Sequence, residues 1–322
     1  MINSTQINAS VVQRFSRVAI NHRLAHAYLL VGPRDSGKTQ TALSLAQLVN
    51  CENETQKPCG QCAACRKIVS GNHPDVHVIG NDEMDSIKIE DVRFLLSRAH
   101  LMAYEGKAKV FIIRNIERMT PDAANALLKT LEEPAANTLM ILTTSVLEAN
   151  LDTIKSRCHI VKFLPSPVNR ITQLLMDEGL KHQDAHFLAV YAEGCLGKIR
   201  RLMKREITVY RRRVLDEMLL NRNNDSFLKE LSADPQETAE ALQILLSFFR
   251  DALLLKCGIP KTELIHQEID LPMQQAMGRF TARSFEDLTL IIRQIVKTKE
   301  LVDENLNVKM SLSFLREHLW AD

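Results

Sequence analysis

The sequence predicts an α/β domain built on a parallel sheet, followed by helical segments without comparable strand patterns. Strand and helix patterns alternate from residue 26 to residue 164, which is typical of a parallel sheet with helices on both faces. A glycine-bounded loop stands between the first strand and the first helix, and Pro165-Ser166-Pro167 marks a domain boundary. We therefore expect an α/β domain over 1–165, a small helical domain over 166–206 and a larger helical domain over 207–322.

The stretch YLLVGPRDSGKT, residues 28–39, contains a complete phosphate-binding loop after a predicted buried strand. Its two glycines let the backbone turn around phosphate oxygens, and the amides at the start of the next helix, predicted over 41–49, attract anions. The lysine can reach the β- and γ-phosphates, and the threonine hydroxyl can hold Mg²⁺. A chance match in a turn is the alternative, which the flanking strand and helix disfavour. We predict ATP or ADP with Mg²⁺ at this loop, in contact with Gly32, Arg34, Asp35, Ser36, Gly37, Lys38 and Thr39.

Four of the seven cysteines lie close together, in the spacing Cys-x7-Cys-x2-Cys-x2-Cys over residues 51–65. Four thiolates at this spacing can close a tetrahedral zinc site, and four protein ligands leave no open position for a substrate. Free buried thiols are the alternative, which the spacing disfavours. We therefore predict that an inserted module holds a structural Zn²⁺, bound by Cys51, Cys59, Cys62 and Cys65.

Composition places few limits on function. The chain of 322 residues has 45% hydrophobic and 25% charged residues, which is ordinary for a soluble globular protein. It contains 41 Lys and Arg against 39 Asp and Glu, so overall charge does not indicate a nucleic-acid-binding protein. No apolar run approaches the ~20 residues of a membrane span, and the first residues lack the features of a signal peptide. We therefore expect a cytoplasmic protein with no membrane partner.

Hydrophobic periodicity predicts the remaining elements of the first domain. The predicted helices span 7–24, 89–101 and 122–132, and the predicted strands after the first span 73–79, 109–113, 139–143 and 160–164. Thr120 and Pro121 suit the N-terminus of the third of these helices. In the helical remainder, Phe248 and Phe249 are expected in the core rather than on a base-stacking surface.

The residues that follow the strand 109–113 bear on hydrolysis. An ATPase of this class usually has acidic residues there, which orient Mg²⁺ and the attacking water, whereas this chain has Arg114 and Asn115. Glu117 and Asp122 lie further along and are not expected at the strand end. One interpretation is that other residues compensate. We favour a site that binds nucleotide but hydrolyses it poorly.

Several motifs together resemble the bacterial clamp-loader family of AAA+ ATPases. They are the strand that begins at His26-Ala27, the phosphate loop, the four-cysteine module, the block NALLKTLEEP over 125–134, and Ser156-Arg157-Cys158. The block 125–134 is long and specific, whereas the helical remainder agrees only in length and class. The resemblance implies an AAA+ domain, a helical lid over 166–206 and a helical collar over 207–322 that joins five subunits in a ring. Such rings open a sliding clamp and place it on primed DNA.

Within this family, the departures favour the delta-prime branch of the DNA polymerase III loader. The gamma/tau motor has an acidic pair at 114 and 115, and a nucleotide-sensing Arg where this chain has Gly197. The resemblance implies gamma/tau and delta subunits as partners in a hetero-pentameric ring, and the clamp and primed DNA through that assembly. It also implies that Arg157 acts in trans on ATP bound by a neighbouring subunit. The chain would then be a subunit of a DNA-directed DNA polymerase, a nucleotidyltransferase, without being an efficient ATPase alone.

Three alternatives stay open at this point. The first is that the chain is a gamma/tau-like motor with an atypical metal site. The second is that Arg157 is a surface residue that bridges to a nearby carboxylate. A zinc-dependent DNA-binding protein is the third, and it is disfavoured because the cysteine module lacks a flanking helix with several basic residues.

Overall fold

The computed structural model describes residues 15, 24–81, 86–99, 101–146, 152–221, 223, 225–267, 269–304 and 307–320. The helix predicted over 7–24 lies outside the described residues except at its position 15 and its last residue. The described chain forms two compact units. The first takes the described residues up to Ser166 together with Cys195–Lys198, and the second takes Pro167–Gly194 together with the described residues from Ile199 onward. The three-domain division expected from the sequence stays a prediction.

A five-stranded parallel sheet forms the centre of the first unit. Its spatial order is β2-β3-β4-β1-β5. The three inner strands are buried at every position, as expected for aliphatic runs covered on both faces, whereas β5 at one edge is largely exposed. The predicted parallel α/β fold is therefore confirmed. The strands are β1 Ala27–Val31, β2 Val76–Ile79, β3 Lys109–Ile113, β4 Thr138–Thr144 and β5 His159–Lys162.

Helices cover both faces of this sheet, because neighbouring residues of a strand point to opposite sides. Phe111 of β3 lies in the cluster that contains Leu95 and Leu127, while Ile112 lies in the cluster that contains Leu45. All five are nearly inaccessible to solvent, and each such side chain contributes about 1.5–3 kcal/mol to stability. The helices of this unit are α1 Lys38–Asn50, α2 Ala63–Val69, α3 Ile89–Ala99, α4 Pro121–Glu132 and α5 Asp152–Lys155.

Helix boundaries follow the local chemistry. The Thr120 hydroxyl oxygen accepts the amide of Ala123 at 3.3 Å and Pro121 occupies the first turn of α4, as predicted. Helix α1 begins at Lys38, three residues earlier than predicted, because the phosphate loop winds directly into it after Gly37 at φ 90°. The predicted helix 89–101 ends earlier, at Ala99.

The second unit contains helices and connecting turns, and no strand, among its described residues. Phe248, Phe249 and Phe280 are fully buried there, with ring centroids 4.8–6.2 Å apart in edge-to-face arrangements. The two adjacent phenylalanines are therefore core residues, as predicted. Among the described residues, no helix is long and apolar enough to cross a membrane. The helices that follow the sheet are α6 Val168–Asp177, α7 His182–Tyr191, α8 Leu196–Lys204, α9 Ile207–Leu215, α10 Asp225–Leu231, α11 Pro235–Lys256, α12 Leu271–Ala282, α13 Phe285–Asp303 and α14 Val308–Trp320.

A buried carboxylate fixes the segment that leads into β3. Asp75 is 2% exposed and accepts the backbone amides of Tyr104, Glu105 and Gly106 at 2.7, 2.9 and 2.7 Å. Burial alone would raise the pKa of the Asp75 carboxyl, but these three donors outweigh burial and hold the pKa below its ordinary value. A side chain at position 106 has no room, since a Cβ there would lie 2.7 Å from the side-chain oxygen of Asn50.

Replacing Asp75 by Ala should destabilise the protein by about 3 kcal/mol or more at pH 7, because three amides lose a charged acceptor. The folded-state pKa is depressed, so the contribution of Asp75 is present above its unfolded pKa and is lost as pH falls through the folded value. Urea unfolding should therefore show a large difference between wild type and Asp75→Ala at pH 6 and a smaller one near pH 3. The exposed Glu90→Ala control should change stability by less than about 1 kcal/mol.

Candidate nucleotide and metal sites

The phosphate loop lies between β1 and α1, at the carboxyl edge of the sheet. Asp35 and Gly37 both have positive φ, 60° and 90°, which turns the chain into the helix. The sequence suggested that glycine is needed at position 32 for a tight turn, but the structure shows a different requirement. A Cβ there would lie 2.4 Å from the carbonyl oxygen of Phe163, so the requirement is close approach of the segment after β5. The loop is therefore shaped by its own turn and by the segment after β5.

The Lys38 side chain lies across its own loop. It is 6% exposed, and its Nζ donates to the carbonyl oxygens of Gly32 and Pro33 at 2.6 Å each. The Ser36 hydroxyl is buried, with no hydrogen-bond partner among the described residues. Buried hydroxyls are almost always hydrogen-bonded, and a phosphate oxygen would supply the partner. The loop residues thus fit a bound phosphate group.

The segment 195–198 lies against this loop within the first unit. The Gly197 amide donates to the carbonyl oxygen of Asp35 at 3.0 Å. A Cβ at position 197 would lie 2.7 Å from that same oxygen. A side chain at position 197 therefore has no room in this arrangement.

The carboxyl edge beside the loop holds a carboxylate that the sequence did not predict there. Arg114 and Asn115 follow β3 as expected, and the Asn115 amide donates to the Thr143 hydroxyl at 3.2 Å. Glu117 lies beyond the end of β3, as expected, but its carboxylate meets the end of β4, which the sequence did not predict. A 3₁₀ turn over Ile116–Arg118 brings its carboxylate to Ser145, just beyond β4, where Oε1 accepts both the amide and the hydroxyl.

The Glu117 carboxylate is ionised at neutral pH. Burial alone would raise its pKa, but the hydrogen bonds from Ser145 outweigh burial and lower it. A short turn after one strand can carry a residue a few positions later to the end of a neighbouring strand, as it does here. Hydrophobic periodicity could not reveal that turn.

The four predicted cysteine ligands come together. Their sulfur atoms all lie within 4.8 Å of one another, and tetrahedral zinc needs sulfurs about 3.8 Å apart for bonds of about 2.3 Å. The amides of Gln61 and Cys62 donate to Cys59 Sγ at 3.4 and 3.3 Å, and these hydrogen bonds lower the pKa of Cys59 to about 6. Burial raises the pKa of Cys65 to about 12, a cost that a metal cation would reverse. The cluster can therefore hold a structural metal such as zinc.

Hydrogen bonds attach the cysteine module to the rest of the first unit. Gln47 of α1 donates to the carbonyl oxygen of Cys65 at 3.0 Å, and Asn50, next to the ligand Cys51, accepts the amide of Ala108 at 3.0 Å. Two ion pairs, Lys67–Glu105 and Lys107–Glu54, join the module to the segment before β3. The module thus braces the same segment that Asp75 holds.

Arg157 forms an intrachain ion pair, as the alternative of a surface bridge requires. Its Nε donates to Glu132 Oε1 at 2.7 Å, and its Nη2 donates to the same oxygen. Its Nη1 donates to the carbonyl oxygen of Thr153 at 2.8 Å and to the hydroxyl of Ser156 at 3.1 Å. The side chain remains 32% exposed, beyond the end of α5.

A parallel sheet in the order β2-β3-β4-β1-β5, with a complete phosphate loop after β1 and helices on both faces, defines a P-loop protein of the AAA+ class. The family model described as "DNA polymerase III, delta subunit" matches residues 7–167, half of the chain. DNA polymerase III subunit delta' of Bacillus subtilis is 31% identical over 305 residues, which cover 92% of this chain and 90% of that protein. The chain therefore belongs to the delta' family of DNA polymerase III clamp-loader subunits.

Other relatives match shorter stretches. Subunit delta' of Pseudomonas aeruginosa is 40% identical over 136 residues, 42% of each chain. Subunit tau of Escherichia coli is 36% identical over 181 residues, which cover 54% of this chain and 28% of that protein. A solved gamma subunit-related protein of Thermotoga maritima is 21% identical, with a TM-score of 0.46 over 96% of this chain and 98% of that chain. The family predicted from the motifs is confirmed.

We expect protein purified without added zinc to contain close to one zinc per chain, because four clustered thiolates form a closed site. Cys62→Ser should release the metal, and hydrogen exchange should then quicken over 50–70 and also over 104–108, which the module braces. The Cys257→Ser control, an exposed cysteine of the second unit, should change neither quantity. Well-folded wild-type protein with less than about a tenth of an equivalent of zinc would contradict the site.

Proposed function

We propose that this chain is a delta'-type subunit of the DNA polymerase III clamp loader, which helps to load the sliding clamp onto primed DNA during chromosome replication. The observation that carries the proposal is the extent of the similarity to Bacillus subtilis delta', which includes the helical region as well as the AAA+ domain. In this role the chain assembles with gamma/tau and delta subunits in a hetero-pentameric ring in the cytoplasm. The clamp and DNA are partners of that assembly.

The nucleotide site has a phosphate-binding role in this proposal, with little turnover. Bound Mg-nucleotide would supply phosphate oxygens to the loop amides, to Lys38 and to Ser36. Lys38 would exchange its two carbonyl acceptors for these oxygens, and the Ser36 hydroxyl would gain a partner. At the neighbouring strand end, Arg114 and Asn115 offer no carboxylate, and one oxygen of Glu117 is engaged by Ser145.

A gamma/tau-like motor is the second candidate, and Glu117 favours it. This carboxylate is ionised and lies at the carboxyl edge of the sheet, where a motor holds its acidic residues. The two candidates differ in whether the isolated chain turns ATP over.

The isolated chain should bind Mg-nucleotide and hydrolyse it negligibly. Lys38→Ala should weaken binding at least tenfold in a fluorescent-nucleotide titration, because it removes the cation of the phosphate loop. Phosphate release should stay at background for the wild type and for Glu117→Gln. Robust release by the wild type, lost in both Lys38→Ala and Glu117→Gln, would instead identify a motor that uses Glu117.

Arg157 is proposed to act as an arginine finger toward the γ-phosphate on a neighbouring subunit. Arg157→Ala should leave folding, zinc content and ring assembly intact, because the side chain is partly exposed and its ion pair is worth about 0–1 kcal/mol. It should lower the DNA-stimulated ATPase of the reconstituted loader by one site's share and impair clamp loading more severely. Unchanged ATPase and loading over a range of ATP concentrations would reject the trans role and leave Arg157 as a surface bridge.

A further inference from the structure

Glu132, the last residue of α4, contacts the Arg157 guanidinium on the edge that binds anions. Arginine binds carboxylate and phosphate groups through pairs of adjacent N–H donors. One such pair, Nε and Nη2 of Arg157, is directed to a single oxygen of Glu132. A γ-phosphate from a neighbouring subunit would need these same donors, so the carboxylate and the phosphate compete for one edge of the guanidinium.

The third guanidinium nitrogen, Nη1, binds residues that are close to Arg157 in the sequence. Nη1 donates to Thr153 and to Ser156, and the Ser156 hydroxyl itself donates to the same Thr153 carbonyl oxygen at 3.0 Å. A guanidinium has five N–H donors, and the four hydrogen bonds described above use four of them. The terminal nitrogen Nη1 is thus anchored locally, while the Nε–Nη2 edge depends on a carboxylate from a helix 25 residues earlier.

Both partners are accessible to solvent, so the ion pair can exchange. The side chain of Glu132 is 50% exposed and that of Arg157 is 32% exposed. An exposed pair of this kind is weak and sensitive to salt, whereas a guanidinium gains more from a phosphate, which carries more charge and more acceptor oxygens. Contact with a γ-phosphate can therefore displace Glu132 without any change in the fold.

We propose that Glu132 is a positioning residue that retains Arg157 within its own subunit until a neighbour's γ-phosphate takes over the Nε–Nη2 edge. This inference rests on the proposed trans role of Arg157. Glu132 then lowers ATP turnover for as long as Arg157 does not contact a neighbour's γ-phosphate. The adjacent Glu133 is exposed, and no hydrogen bond joins it to Arg157 among the described contacts, so it offers a matched control.

The test is the ATPase of the reconstituted loader in the absence of DNA and clamp. Glu132→Gln keeps the shape of the side chain and removes its charge, and it should raise this basal rate two- to fivefold, the range that a weak exposed ion pair allows. Glu133→Gln should leave the rate unchanged. In the Arg157→Ala background, Glu132→Gln should have no effect, because the group that it retains is missing.

The outcomes separate the two proposals. If Arg157→Ala alone leaves the DNA-stimulated ATPase unchanged, the trans role itself fails. If Arg157→Ala lowers that ATPase while Glu132→Gln leaves the basal rate equal to or below that of the wild type, the trans role stands and retention by Glu132 is overturned. A rise in the basal rate that persists in the double variant also overturns retention, because the effect would not pass through Arg157.

Discussion

The position of β1 between β4 and β5 is the constraint on which the first unit depends. At the end of β1 the Gly32 amide donates to the carbonyl oxygen of Thr144 at 3.2 Å, and the Phe163 amide donates to that of Val31 at 2.7 Å. These bonds place the phosphate loop, the end of β4 and the segment after β5 at one edge of the sheet. Ligand sites in parallel sheets form at this edge, because the strands end together there. Gly32 has no side chain since the backbone of Phe163 occupies its place.

The cysteine module is joined to this edge through α1. The helix starts at Lys38 of the phosphate loop and ends at Asn50, directly before the ligand Cys51. Asn50 also binds the segment before β3, which Asp75 holds by three further amides. A metal at the cysteines would therefore stabilise more than its own module, because the same backbone segment sets where β3 begins.

Two carboxylates near the ends of helices and strands accept hydrogen bonds from distant residues of this domain. Glu132 at the end of α4 holds Arg157, and Glu117 in a turn after β3 holds Ser145. Both contacts join residues 25 or more positions apart in the chain. Each brings a carboxylate to a polar group on another element. These contacts therefore fix how neighbouring elements of the domain meet at their ends.

Local patterns in the amino-acid sequence were enough to establish the parallel sheet, the phosphate loop, the capped helix α4 and the clustered cysteines. Each of these depends on side chains that are neighbours in the chain, and their spacing alone carries the physical requirement. The positions of Glu117, Glu132 and Gly197 could not be obtained in this way. Each depends on a turn or a crossing that brings distant backbone together: Glu117 with Ser145, Glu132 with Arg157, and Gly197 with Asp35. Periodicity reports which face of an element is buried, but only the packed chain determines which polar group meets another at its end.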